Sequence, residues 1–397
     1  MATIRPFRAL RPIPALCGAV ASVPYDVVSV PEARALAAGN PHSFLHVVRP
    51  EIDLPETTGE YADAVYTKGA ENLRSYATSD HSIRDVTPAL YIYRLRAFGR
   101  EQTGIFGCIP VADYDSGGVL KHEKTRPVKV RDRVRHILEQ EAHAEPVFLT
   151  YRDSAHVSTL TERIKQSEPL YNFTADDGVL HTVWKVDDPA QLVAAFVDVP
   201  EFYVADGHHR CEAASVAAQS RPDAAQFPAV VFPVSEVNIL PYNRFVRRSP
   251  LAENELLGAV AARCEIKTDV EYSEPVARGS VCMYTGGRWH SITLPATERP
   301  TVADTLDIAR LAEFILEPIF RIMDQRRDPN IDFVGGIRGT KELERRVDLL
   351  PGSVAFSMVA TSMDELIAVS DAHLLMPPKS TWFEPKLRSG ILVHPFD

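Results

Sequence analysis

The sequence predicts a mixed fold, α/β or α+β, and three observations carry that prediction. Short segments rich in β-branched and aromatic residues alternate with helix-favouring ones along the 397 residues. At 201–218 a strand-like segment runs into an Asp-Gly turn and then into a helix of small residues. In the last third a strand at 331–334 precedes a helix at 340–347, and a strand at 354–358 precedes a helix at 363–368.

The elements follow in order. Ser29-Val30-Pro31-Glu32 has the form of a capping box with proline in the first turn, and Gly39 closes the helix it opens. The apolar positions of 40–49 fit a buried strand, and the same segment can offer Ser43, His46 and Arg49 to a ligand. A second helix is expected over 61–76, before the polar turn Ser79-Asp80. Segments 89–98 and 102–111, either side of Gly99, read as a β-hairpin. After an acidic turn at 113–118 and a polar stretch at 121–126, Val130, Val134, Ile137 and Leu138 recur at i, i+4, i+7 and i+8, one apolar helix face. Strands are expected at 146–151, 201–205 and 227–234, and helices at 211–218, 251–262 and 307–323. The expected division is an N-terminal α/β region at 1–110, a central core at 111–250 with an insertion near 152–200, and a C-terminal α/β region at 251–397.

Composition narrows the function classes. Hydrophobic residues make up 45% and charged residues 24%, which excludes a disordered tail or a collagen-like repeat. With 43 Lys and Arg against 53 Asp and Glu the net charge is −10, so the global field does not draw in nucleic acid. The five cysteines are scattered and form no CxxC pair, which points to reduced thiols and a cytoplasmic setting. The apolar stretch 311–320 is cut by Glu313, Glu317 and Pro318, so no membrane partner is expected. Pro12 and Pro14 interrupt the apolar start of the chain, which reads as ordinary structure and not as a signal peptide.

Two segments carry chemistry. In Asp206-Gly207-His208-His209-Arg210 a strand end, a glycine and a helix start make an anion site, and Arg210 adds a fork suited to phosphate oxygens. Asp206 can hold Mg²⁺ or position a substrate group. The same residue types also describe an ordinary Asp-Gly turn with exposed histidines. In Lys121-His122-Glu123-Lys124-Thr125-Arg126 the Glu123 carboxylate lies among cations, stays ionised, and can accept a proton from a hydroxyl. Arg126, Lys129 and Arg133 then share one helical face at i, i+3 and i+7, a stripe that can meet polyphosphate or simply face solvent. Arg126 stands where an HExxH motif needs its second histidine, so a zincin is excluded. Gly335-Gly336-Ile337-Arg338-Gly339 matches neither GxxxxGK[ST] nor GxGxxG and reads as a tight turn. The Pro-rich segment 376–388, with Lys379, Lys386 and Arg388, reads as a surface loop anchored by Trp382, of a kind that also builds sites.

Several motifs together carry a family resemblance: Pro24-Tyr25-Asp26, Asn40-Pro41 with Ser43 to His46, Arg49-Pro50-Glu51, Lys121-His122-Glu123, Asp206 to Arg210, Leu240 to Arg244, Phe333 to Gly336 and Met376 to Phe383. On these the chain resembles, over nearly its full length, the domain-of-unknown-function family numbered 1015, whose name implies no activity. A second resemblance covers about 113–243. The order His-Glu, basic helix, short strand and Asp-Gly-His-His-Arg is similar to the ParB/sulfiredoxin-like core of free serine kinases. The long insertion between Tyr151 and Phe202 departs from that pattern.

This second resemblance implies a phosphotransferase acting on a small hydroxyl metabolite, most simply free L-serine, with Mg²⁺ and with ATP or ADP as donor. It implies Glu123 as the base, Asp206 and His209 as catalytic partners, and Asp206 as metal ligand. Phosphate and nucleotide would then fall to Gly207, His208, Arg210, Arg126 and Lys129, and the acceptor to His122 and Thr125. His208 stands where sulfiredoxins place a cysteine, so thiol–sulfinate chemistry is not expected. Two alternatives stay open. One is a ParB-like nucleotide-binding regulator without turnover; the other is a metal hydrolase using His122, Glu123, His208 and His209.

Overall fold

The structure is a computed structural model that describes residues 3–396. The chain forms two compact units. The first comprises, among the described residues, 3–121, 125–237 and 385–396; the second comprises 122–124 and 238–384.

The first unit is built on β1 (Leu90–Ala97), β2 (Arg100–Pro110), β3 (Val119–Leu120), β4 (Val147–Tyr151), β5 (Tyr171–Thr174), β6 (Leu180–Val186), β7 (Phe202–Asp206) and β8 (Gln226–Pro233). They form one mixed sheet in the order β3-β7-β4-β8-β2-β1-β6-β5. The pairs β3–β7 and β4–β8 are parallel and the other pairs antiparallel. β1 and β2 make the expected hairpin, and both turn residues, Phe98 (φ +54°) and Gly99 (φ +70°), are left-handed, as a two-residue hairpin turn requires.

The helices of this unit include α1 (Val30–Ala37), α2 (Asp63–Thr78), α3 (Pro127–Gln140), α4 (Ala155–Ile164) and α5 (His208–Ser220). The Ser29 hydroxyl and the Glu32 carboxylate complete the capping box of α1. One core cluster joins Ile92, Ile105, Leu149, Val204 and Val231 of the sheet to Val157 and Leu160 of α4. Val130 and Ile137 of α3 meet Ala213 and Ala217 of α5, and the alanines let the two helices approach closely. The C-terminal segment pairs back into this unit, His394–Pro395 against Ala142–His143.

The second unit carries a sheet of β9 (Tyr242–Val246), β10 (Glu265–Val270), β11 (Ser280–Thr285), β12 (Arg288–Thr293), β13 (Ile331–Gly335) and β14 (Val354–Ser357), in the order β10-β12-β11-β14-β9-β13. Every pair is antiparallel. Its helices include α6 (Glu253–Ala261), α7 (Gly339–Leu349) and α8 (Met363–Asp371). The strand–helix alternation therefore does not pair β13 with β14, since both flank β9.

Four local expectations are corrected. Segment 40–49 holds the short helix Leu45–Val48 and no strand, because Leu45 and Val48 bury one helical face. The acidic turn opens as the helix Val111–Asp115, with Val111 and Tyr114 buried at i and i+3. α5 begins at His208, three residues before the expected 211, because Gly207 already makes the turn. The helix expected over 307–323 is regular only at Asp307–Leu311; it widens into a π turn at Ala312–Leu316, ahead of Pro318. The five cysteines are buried free thiols. Among the described residues no helix is long and apolar enough to cross a membrane.

Candidate functional site

The site of the first unit is built where β7 meets α5. The strand ends at Asp206, Gly207 turns the chain with φ +103°, and the helix starts at His208. Only glycine adopts this conformation without strain. A Cβ at position 207 would also lie 3.1 Å from Arg210 Nε, so the guanidinium tucks against the turn. The amides of Arg210 and Cys211 donate to the Gly207 carbonyl, which sets the positive end of the helix dipole at the turn.

Arg210 is buried. One of its amino groups donates to the Pro146 carbonyl, and the other lies 3.9 Å from Asp26 Oδ2 and 4.0 Å from Asp206 Oδ1. Burial disfavours its charge, but the carboxylates of Asp26, Glu145 and Asp206 outweigh that and hold its pKa above the ordinary value. Glu145 is buried with it and accepts from the Tyr25 amide at 3.1 Å and the Ser389 hydroxyl at 2.9 Å. Burial pushes the Glu145 carboxyl up, against the pull of Arg210 and Arg133. Arg133 in turn stacks 3.8 Å over the Tyr25 ring. Tyr25 and Asp26 thus join the turn as supporting residues.

Two further contacts frame the turn. Lys386 Nζ lies 2.7 Å from Asp206 Oδ2. His209 Nε2 accepts the backbone N–H of Arg126 at 3.0 Å, which ties the first turn of α5 to the N-cap of α3. An N–H can only donate, so this bond requires an imidazole without a proton on Nε2.

The expected basic stripe is broken up. Arg133 is buried beside Asp132 and Glu145, and Lys129 Nζ is 2.8 Å from a Glu60 oxygen. Arg126 remains at the helix start, next to Thr125. His122 and Glu123 belong to the second unit, where the His122 carbonyl accepts from the Met376 amide at 2.8 Å. The first unit therefore gathers Asp206, Gly207, Arg210 and Lys386, with His209 held by Arg126. Reading the residue chemistry alone did not select Tyr25, Asp26, Glu145 or Lys386 as site residues. Lys386 had a signal in its Pro-rich, site-building loop, and Tyr25-Asp26 had one in the family motif; Glu145 had none.

Among the described residues no three His, Cys, Asp or Glu side chains are grouped to hold a metal ion. One Asp206 oxygen is taken by an ammonium and the other faces a guanidinium. These residues fit Mg²⁺ only in the company of phosphate oxygens, the usual way that ion is held.

A search of curated proteins finds no match. Among solved structures the chain is similar to SbnI with a C-terminal truncation from Staphylococcus aureus, at 12% identity and a TM-score of 0.40, over 73% of this chain and 87% of that one. It is similar to a free serine kinase mutant in complex with AMP at 11% identity and a TM-score of 0.39, over 72% and 91%. A conserved hypothetical protein from Pyrococcus furiosus matches at 14% identity and a TM-score of 0.36, over 73% and 95%. The family model described as protein of unknown function, DUF1015, matches residues 4–309. With most of its length matched, the chain belongs to the DUF1015 family.

Proposed function

We propose that this protein transfers a phosphoryl group from a nucleotide, ATP or ADP, to a small hydroxyl metabolite, with free L-serine or a related hydroxy acid as acceptor. The observation that carries the reading is the turn itself. Asp206, the positive end of α5, the buried Arg210 cation and the Lys386 ammonium all converge there. Phosphoryl transfer is chiefly positioning and charge neutralisation, which such a turn supplies.

In this reading Gly207, His208 and Arg210 hold the phosphates, and Arg126 and Lys129 extend that contact. Asp206 would hold the donor's Mg²⁺, which would neutralise phosphate charge. His122 and Thr125 orient the acceptor. Glu123 takes the hydroxyl proton as the acceptor oxygen bonds to phosphorus, and the bond from phosphorus to the leaving nucleotide oxygen breaks. His209, held without a proton on Nε2, keeps the first turn of α5 against Arg126. The ParB/sulfiredoxin-like reading of the core supports these roles through the order of its motifs. The test is formation of a phosphomonoester from L-serine, Mg²⁺ and ATP or ADP.

The second reading is a ParB-like regulator that binds nucleotide without turnover. The Lys386–Asp206 pair favours it, because it ties the C-terminal segment to the turn and bound phosphate would compete for the ammonium. Saturable nucleotide binding without product would select this reading.

A further inference from the structure

Arg244, on β9 of the second unit, is 0% exposed. One terminal amino group donates to the Tyr242 carbonyl, and the other donates to the Pro378 carbonyl at 3.0 Å. Nε has no hydrogen-bond partner among the described residues. The Phe333 ring lies 5.2 Å from the guanidinium carbon. Burial brings the pKa down to about 9, with only Tyr242 acting the other way and no carboxylate contributing. A buried charge is ordinarily paired, and two carbonyl dipoles do not replace a counter-ion. An orphaned donor on such a group points to a missing ligand.

The loop 376–380 meets Arg244 through the Pro378 carbonyl. Lys379 is left-handed there, with φ +56°, and its Nζ lies 5.6 Å from the Tyr242 ring. Ser380 is buried, and its hydroxyl bonds back to the Pro377 carbonyl at 2.6 Å. The ends of the loop are anchored, Met376 N–H on the His122 carbonyl and the Ser380 carbonyl on the Thr361 hydroxyl. Arg244 gives the middle of the loop one bond, to Pro378. Such a segment can lift without unravelling its ends.

We propose that loop 376–380 is a strap over an oxyanion site whose receptor is Arg244, and that a carboxylate or phosphate group replaces the carbonyl contacts when the strap lifts. The guanidinium fork suits either anion in bidentate geometry. Lys379 and the Ser380 hydroxyl travel on the strap itself and supply a second cation and a neutral donor. The site stands on the second unit alone and needs no phosphoryl transfer.

The test uses the full chain labelled with 5-fluorotryptophan, whose three tryptophans give three fluorine resonances. Trp382 packs on Tyr242 with ring centroids 5.3 Å apart and reports the strap; Trp382→Phe assigns its signal. Inorganic phosphate and acetate are titrated separately at constant ionic strength. The expected result is a saturable shift of the Trp382 resonance, with affinity about tenfold or more weaker in Arg244→Met and partly kept in Arg244→Lys. A response to phosphate alone marks a phosphate group as the ligand, and one to acetate alone marks a carboxylate. Arg244→Met leaves the Tyr242 and Pro378 carbonyls without that donor, so its folding is checked first by denaturant unfolding without anion. If that variant fails to fold, Arg244→Lys carries the comparison. A Trp382 signal that neither anion moves, or that moves equally without Arg244, overturns the proposal and leaves Arg244 a loop clasp.

Discussion

Lys386 Nζ and Asp206 Oδ2 meet at 2.7 Å across 180 residues of sequence. The pair joins the C-terminal segment to the turn proposed to hold phosphate. In the proposed function this ammonium gives way when nucleotide enters the turn.

Replacing Lys386 by Met should therefore act on both ends. The pair is partly buried, so its loss should cost about 1–2 kcal/mol of stability, measured by denaturant unfolding. Nucleotide affinity, measured by calorimetry, should fall as well. Unchanged affinity would make the pair a tether only.

Gly207 and Gly39 give a matched comparison. Both are left-handed, but a Cβ at Gly39 meets nothing within 4 Å, whereas one at Gly207 meets Arg210 at 3.1 Å. Gly39→Ala should cost about 1 kcal/mol from backbone strain alone. Gly207→Ala should cost more and also weaken nucleotide binding. Equal costs in thermal unfolding, with binding untouched, would show that Arg210 yields freely.

Three buried histidines predict acid sensitivity. Burial depresses His143 and His181 to about 3 and holds His136 well below its ordinary range. The unfolded chain binds these protons near pH 6.5 and the folded one does not. Stability is then full above about 6.5 and falls as the pH drops toward 3, by about 1.4 kcal/mol per pH unit for each histidine. Glu145, Glu236 and Asp307, raised by burial, work the opposite way above their unfolded values, against five histidines that burial lowers, these three with His290 and His394. Denaturant midpoints against pH should show this slope, and His143→Gln should reduce it by one proton. A flat profile between pH 6.5 and 5 would contradict it.

What the sequence made legible was local. The Ser29–Glu32 capping box, the 89–111 hairpin and the Asp-Gly turn each rest on neighbours within a few residues, and each formed. The start of α5 was placed late because Ala-rich composition marks a helix body, whereas Gly207 marks its beginning. The Lys386–Asp206 contact and the Glu145–Ser389 bond depend on how distant strands bring chain ends together, and no spacing records that. Arg133 leaves the basic stripe on α3 for a related reason: periodicity puts it on one face with Arg126 and Lys129 but cannot show that Asp132 and Glu145 bury it.

Phosphorus-31 NMR of the full chain with Mg²⁺, L-serine and ATP or ADP, with Asp206→Asn and Glu123→Gln alongside, decides whether the turn supports phosphoryl transfer. A new phosphomonoester resonance is expected, forming about a hundredfold or more slowly in both variants, while Glu123→Gln still binds nucleotide. No new resonance with either donor, or one that Asp206→Asn and Glu123→Gln form at the parent rate, would contradict it.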